Sequence, residues 1–409
     1  GLGVALHRNT VLMQNAALVG VTGLSFLPPL LAATGWINAL RLLRHWRGQP
    51  VTRTRLDFTL SVVLLLSAAV YGLWQIRTFH PAERPVVRTL LIQPNVSQFV
   101  KWGREDILAL YRQLDQRTRL YTEATGPTTD GFDLIVWPEN AVPVNLDDSP
   151  EADAFHRSFF EPLLQTGNFS LLTGAQTRTP DGGGQNSAVL FSPQTYTPRQ
   201  SASKQHLVPF GEYLPLRQQL PILERLLGHI LPGDFVPGQG TQPLTLTASG
   251  ESVGIVPLIC FEDTVGRLAR RFVRPGPQIL ANITNDGWFL HSDETEVHLA
   301  NARFRAVELR RPLLRAANTG VTCFIDPLGR TLSQLDDPAT GSTFIEGCLP
   351  GALRFAPGSA LTFYARFGDV FSYLCLALTS SALLLHLSRR KKTHASTVEP
   401  TASHPTDHR

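Results

Sequence analysis

The chain has 409 residues, 43% of them hydrophobic and only 17% charged, with a formal net charge of +4 at pH 7. That is too apolar for an ordinary soluble protein of this length, and the excess is concentrated in three stretches. Val11 to Leu40, Phe58 to Ile76 and Val370 to Ser388 contain no charged residue. A bilayer core of ~30 Å needs about 20 apolar residues of helix, so the second and third stretches each fit one span. The first is longer and holds Pro28 and Pro29, which predicts a kinked or broken membrane helix. Arg41, Arg44, Arg47, Arg53 and Arg55 crowd the loop after it, and Arg389, Arg390, Lys391 and Lys392 follow the last stretch. Basic flanks stay cytoplasmic. The expected organisation is therefore a membrane region over 1–79, a periplasmic domain over 80–368, a membrane helix over 369–388 and a basic tail over 389–409, disordered from Thr393. The protein is placed in a bacterial inner membrane. Because the chain opens on Gly1 without Met or a signal-peptide pattern, further sequence upstream is expected.

Within the extramembrane block, strand character is strongest at Val86–Val96, Asp133–Glu139, Leu171–Thr177, Ser187–Pro193, Val253–Cys260, Gln278–Asp286 and Thr319–Pro327. Helical spacing appears over Glu105–Thr125. A second helix is predicted from about Ser292, with acids in its first turn, an apolar stripe of Val297, Ala300, Phe304 and Val307, Arg310 and Arg311 in its last turn, and Pro312 as its stop. Strands alternating with helices make an α/β layered sandwich the expected fold class. The histidines are scattered and no cysteines are closely paired, so no metal or other cofactor is expected. "DGGGQ" (Asp181–Gln185) precedes no helix and reads as a hairpin turn rather than a phosphate loop. Nucleic acid is not an expected partner.

Four residues carry the chemistry. Cys260 ends the buried run "VPLIC", followed at once by Phe261, Glu262 and Asp263. Glu139 closes "LIVWPEN", where burial beside Trp137 and Pro138 is expected to raise a carboxyl pKa towards that of a general base. Lys204 stands out because the only lysines are Lys101, Lys204, Lys391 and Lys392, the remaining basic side chains being Arg. An ammonium is a compact donor that can be aimed at one oxyanion, which a guanidinium fork cannot do. Glu212, in "PFGEY", is positioned to hold it.

"WPEN", "KQHLVPFGEYLP", "CFED" and "NITNDGWF" together resemble the nitrilase superfamily, whose triad is Glu, Lys and Cys. The longer wording "HLVPFGEYLP", "NDGWF" and "HLANARFRAVELRRPLLRAANTGVT", with the membrane spans, is similar to the apolipoprotein N-acyltransferases within it. The resemblance implies a nitrilase-like αββα sandwich anchored to transmembrane helices. It also implies a periplasmic reaction that moves an acyl chain from a membrane phospholipid to the N-terminal cysteine of an apolipoprotein through a thioester. Carried onto this sequence, the triad is Glu139, Lys204 and Cys260. Glu212 and Glu262 support it, and Trp102, Phe261 and Trp288 contact substrate. Members commonly carry Tyr where this chain has Phe261, and they have more N-terminal spans, so a fragment or a shortened member is expected. The same triad would serve a membrane-anchored amidase with water as acceptor, and an inactive anchored scaffold is the further alternative. Leu216–Phe235, with leucines on one helical face, is read as an interfacial lid or as a helix packed on the core.

Overall fold

The structure is a computed structural model and describes the chain apart from residues 52–54, 81–84, 98–102, 126–130, 147, 218, 220–221, 223–233, 290–291, 357 and 397–409. In the first sheet β1 (Val86–Gln93), β2 (Leu134–Val136) and β3 (Ser170–Arg178) run parallel. On one side β4 (Gly184–Ser192) and β5 (Thr195–Ser203) add antiparallel, and on the other β12 (Gly347–Arg354) pairs antiparallel with β1. The second sheet repeats the plan, with β7 (Glu251–Ile259), β8 (Gln278–Thr284) and β9 (Leu313–Ala317) parallel. It is flanked by β6 (Leu244–Ala248) beside β7, and by β10 (Cys323–Ile325) and β11 (Thr331–Gln334) beyond β9. The orders are β12-β1-β2-β3-β4-β5 and β11-β10-β9-β8-β7-β6.

Val87, Leu91, Val136 and Leu172 of one sheet pack on Ile255, Ile259, Ile279 and Leu314 of the other, which makes the inner layer apolar on both faces. The outer face of the first sheet is covered by α4 (Arg104–Thr125) and α5 (Pro150–Leu164), through Tyr111, Leu114, Phe160 and Leu163. That of the second is covered by α6 (Gly266–Phe272) and α7 (Glu294–Leu309), through Leu268, Phe272, Leu299 and Ala306. Helix, sheet, sheet and helix give the αββα sandwich that the sequence resemblance implied.

The helix expected from Ser292 begins at Glu294 and ends at Leu309, with Arg310 in a left-handed cap at φ 51°. Two expectations there change. Val297 is exposed, because the stripe that packs inward is Ala300, Phe304 and Val307. Arg310 and Arg311 lie past the last turn, where they donate to backbone carbonyls instead of facing water. The four cysteines are free thiols.

The first apolar stretch is broken. A helix α1 (Ala16–Leu24) meets α2 (Leu27–Trp46) at a 62° bend, with the prolines in the first turn of α2 where a missing N–H costs nothing. Helix α1 lies against the sandwich, since Ala16 and Leu24, with Met13 just before the helix, cluster with Phe304 and Val307 of α7. Gly20 leaves the helical region at φ 69° with the Tyr364 ring against it, a place no Cβ fits. The next N–H, of Val21, donates to buried Glu308 of α7 at 2.7 Å. Two further helices are each long and apolar enough to cross a bilayer: α3 (Leu56–Arg77) and the Val370–Ser388 part of α9 (Val370–Ser396). The bent pair makes a third if it forms one span. Leucines of α3 and α9 face outward, as lipid contact requires. Helix α9 runs on past Ser388 through the basic residues to Ser396, cations at a helix C-terminus being favoured by the dipole.

Candidate active site

Three strand ends bring the sequence-predicted residues together. Glu139 follows β2 in a turn pressed against β3, where Gly174 leaves room for the backbone of Pro138 to Asn140; a Cβ there would sit 2.6 Å from the Glu139 Cα. The Gly174 N–H also donates to the Pro138 carbonyl at 3.1 Å. Lys204 follows β5 and is fixed through its backbone: its N–H donates to Asn186 and its carbonyl accepts from Gly238, both at 2.7 Å. Cys260 follows β7 and turns the chain sharply, at φ 52° in the left-handed region that a side chain rarely adopts. The strain aims the residue out of the strand at the head of a short turn, Cys260–Thr264.

Lys204 is almost fully buried between two acids. Its Nζ lies 2.8 Å from Glu212 Oε1 and 3.5 Å from Glu139 Oε1. Asn186, which the sequence did not single out, donates to the same two oxygens at 2.9 Å (Glu139) and 3.1 Å (Glu212). The second oxygen of Glu212 accepts the Val208 N–H at 2.9 Å. Glu139 Oε2 is buried and has no hydrogen-bond partner among the described residues. Burial works against the ammonium, but Glu139, Cys260 and Glu212 outweigh it and hold the Lys204 pKa above its ordinary value. For the thiol, burial and then the Glu139 carboxylate push the pKa well up, opposed by Lys204 and a hydrogen bond with Thr284. At neutral pH Cys260 is therefore a thiol and not a standing thiolate.

Glu262 ties this loop to the lysine segment. One oxygen accepts the N–H groups of Gln205 and His206 at 2.7 and 3.0 Å, and the other that of Ile259 at 2.9 Å. Burial raises its pKa against those three donors. Phe261 is 40% exposed and stacks on His206 with ring centroids 6.0 Å apart. Trp288 is 71% exposed on the turn after β8. Trp102 and most of the leucine-rich segment, from residue 223 to 233, lie outside the described residues.

Beneath Cys260 lies a buried network that no sequence motif identified as such. Arg315 on β9 donates to both oxygens of Asp286 at 2.9 Å each, to Asp263 at 3.1 Å, and to Asn282. His298 on α7 sits 2.8 Å from Asp263 through Nε2, 3.0 Å from Asp286 through Nδ1, and 3.3 Å from the Cys260 carbonyl. Asn282 donates to the carbonyls of Leu258 and Cys260 at 3.0 and 3.2 Å. The strained turn is thus held from below by two cations, two carboxylates and an amide. The signal available in the sequence was the cluster of acids, His and Arg in runs that otherwise read as core.

The charges set a pH dependence. Burial favours neutral His298, yet Asp263 and Asp286 outweigh burial and the repulsion of Arg315, raising its pKa from 6.5 to about 9. The folded state then keeps a proton that the unfolded state has lost, so this stabilisation is complete below pH 6.5 and is lost as pH rises to about 9. The shift corresponds to on the order of 3 kcal/mol. Asp286 is the opposite case: burial is overcome by Arg315 and His298, its pKa falls from 3.8 to about 2, and its contribution is lost only as pH falls through about 2. The thermal midpoint of the detergent-solubilised chain is expected to fall between pH 6.5 and 9, and His298→Gln is expected to flatten that fall. An unchanged slope in the variant would assign the loss to other groups.

The family model for carbon-nitrogen hydrolases matches residues 91–346, which contain every residue of this site. Across nearly its whole length the chain is similar to curated apolipoprotein N-acyltransferases. That of Geobacter metallireducens is 36% identical over 96% of this chain and 70% of its own length. Those of Bradyrhizobium diazoefficiens and Nitrosomonas europaea are 32% and 33% identical, over 95% and 92% of this chain and 68% of their own lengths. With a carbon-nitrogen hydrolase match over most of the domain and relatives of one kind along the membrane helices as well, the chain belongs to the carbon-nitrogen hydrolase family and, within it, to the apolipoprotein N-acyltransferases.

Proposed function

We propose that the protein transfers a fatty acyl chain from a membrane phospholipid, by way of a thioester on Cys260, to the N-terminal cysteine amine of an apolipoprotein. The observation that carries the mechanism is Glu139 Oε2, a buried carboxylate oxygen without a partner among the described residues, in a site whose thiol is protonated. It accepts the Cys260 proton as the sulfur attacks the ester carbonyl. The oxyanion that forms is met by Lys204, whose ammonium has three N–H bonds and, among the described residues, spends them on two carboxylates. Collapse breaks the ester C–O bond, and Glu139 returns the proton to the departing lysophospholipid. The acceptor amine then attacks the thioester, Glu139 removes its proton, and the sulfur leaves and takes that proton back as a thiol. Glu212 and Asn186 orient the lysine and the base; Glu262 and the Arg315 network hold the Cys260 turn. The test supplies acyl-labelled phospholipid to membranes containing the protein and then adds a peptide that begins with diacylglyceryl-cysteine. Label on Cys260 that chases to the amine supports the transferase. Release of free fatty acid that the peptide does not compete with would make it a hydrolase.

We also place the catalytic domain in the periplasm. The Arg-rich loop between α2 and α3 and the basic end of α9 share one side of the membrane, and Lys and Arg at span ends remain cytoplasmic. A protease added to cells with a permeabilised outer membrane is expected to cut between His80 and Gly368 and to spare the residues after Lys392. Cutting in the tail alone would reverse the topology.

A further inference from the structure

A cleft of about 630 Å³ opens beside the Cys260 turn, between α6, the segment after Lys204 and the start of α9. Its charge comes from Arg267, Arg270 and Arg271 of α6 and from Asp369, with Phe367 and Tyr373 at its membrane end. None of the three arginines makes an ion pair among the described residues, although this chain pairs many of its other arginines. Arg270 is fixed, donating to the carbonyls of Ala365 and Arg366 at the end of α8 (Phe363–Phe367) at 3.4 and 3.1 Å. Arg267 and Arg271 lie one helical turn apart and are exposed. Asp369 keeps one buried oxygen without a hydrogen-bond partner among the described residues. Three guanidiniums against one carboxylate leave the cleft cationic.

Its depth in the membrane can be read from the aromatics. Phe363 and Phe367 of α8 meet at 4.6 Å between centroids with their planes tilted by 43°, and both are exposed, as is Tyr373 in the first turn of α9. Tyr373 carries this reading, since an exposed Tyr at the end of a span, with its apolar ring and polar hydroxyl, marks the headgroup level. The inner wall is shared with the active site, since Gln205 and His206 line the cleft, hold Glu262 and, through His206, stack on Phe261. We propose that this cleft binds the phosphodiester of the donor lipid, with Arg267 and Arg271 on its anionic oxygens, so that the glycerol ester is presented to Cys260. The geometry suits it: a guanidinium fork matches two phosphate oxygens, and the site lies at headgroup level. The proposal rests on the phospholipid-donor reading and adds to it where the donor docks.

The test uses the full chain in neutral detergent micelles carrying either phosphatidylglycerol or diacylglycerol with the same acyl chains, and counts retained lipid by native mass spectrometry. The wild type is expected to retain phosphatidylglycerol over diacylglycerol by about tenfold, and Arg267→Gln with Arg271→Gln to lose that preference. Acylation of Cys260 by a soluble short-chain ester without phosphate is expected to be unchanged in this variant. A wild type without the preference, a variant that keeps it, or a variant that also loses the ester reaction would overturn the proposal. So would displacement of the lipid by millimolar inorganic phosphate, which would give the cleft to soluble anions. If phosphatidylglycerol is held through the arginines but never acylates Cys260, the transferase reading fails and the cleft stands. If acylation proceeds equally without the arginines, the reverse holds.

Discussion

Cys260→Ala is expected to take up no label from acyl-labelled phospholipid and to lower transfer to the peptide amine by at least about 10⁴-fold, the scale seen when a covalent nucleophile is removed. The other thiols cannot substitute. Cys323 is buried within β10, Cys348 lies on β12, and Cys375 is in the apolar part of α9, whereas Cys260 alone shares the field of Glu139 and Lys204. Alanine occupies the same left-handed backbone position with no more strain than cysteine, so the fold should survive and a matching thermal midpoint serves as control. Cys260→Ser is the finer test. A hydroxyl is a poorer nucleophile than a thiol with the same base, and its acyl-enzyme is an oxyester that an amine attacks slowly. Serine should therefore leave at most a trace of stalled, hydroxylamine-resistant label. Substantial lipoprotein acylation by the alanine variant would remove Cys260 from the mechanism.

The strands legible in sequence are mostly those buried on both sides, although β9, just as buried, is not among the expected ones because its short run LLRAA follows directly on the helix stop at Pro312. Strands β1, β3, β4, β7 and β8 each hold a short buried apolar stretch, such as LLI in β1, AVLF in β4 and IVPLI in β7, because strands between two covering layers have little solvent face to encode. The outer strands β11 and β12 are half exposed and carry no such pattern. Helix α5 carried a signal that was not read: Ser149 caps it by accepting from the Ala152 N–H at 3.2 Å, with Pro150, Glu151 and Asp153 in the first turn. Lys204 could be chosen because lysine is scarce in this chain. Asn186, Asp263, His298 and Arg315 stand out only as polar residues in apolar runs, a signal that does not name their partners until β9, α7 and the Cys260 turn are brought together. The break in the first membrane stretch was foreshadowed by Pro28 and Pro29, but the packing of α1 against α7 was not. It depends on Glu308 reaching the Val21 N–H, a contact between residues 287 positions apart.

Lys204→Arg is expected to slow acylation of Cys260 by roughly 100-fold or more, the cost of losing one well-aimed oxyanion donor, while leaving the protein folded. Charge is preserved in this substitution, which makes it more informative than Lys204→Met. Methionine would strand Glu139 and Glu212 in a dry interior without their cation, a change that destabilises by about 3–5 kcal/mol on its own account. Arginine keeps the two acids compensated but spreads its donors over a rigid plane. Its fork would satisfy Glu139 and Glu212 together and leave no N–H directed at the carbonyl under attack. The larger head must also fit where Asn186 already approaches both carboxylates within 3.1 Å. Because the surrounding carboxylates raise the Lys204 pKa, the wild-type ammonium persists across the working pH range. A rate deficit in the arginine variant should consequently be the same at pH 6 and pH 8, to within about twofold. The defect should appear in kcat with little change in the lipid concentration needed for half-maximal rate, since the lost contact forms only as negative charge builds on oxygen. Turnover close to wild type would take Lys204 out of the oxyanion role and leave it as the counter-ion of two buried acids.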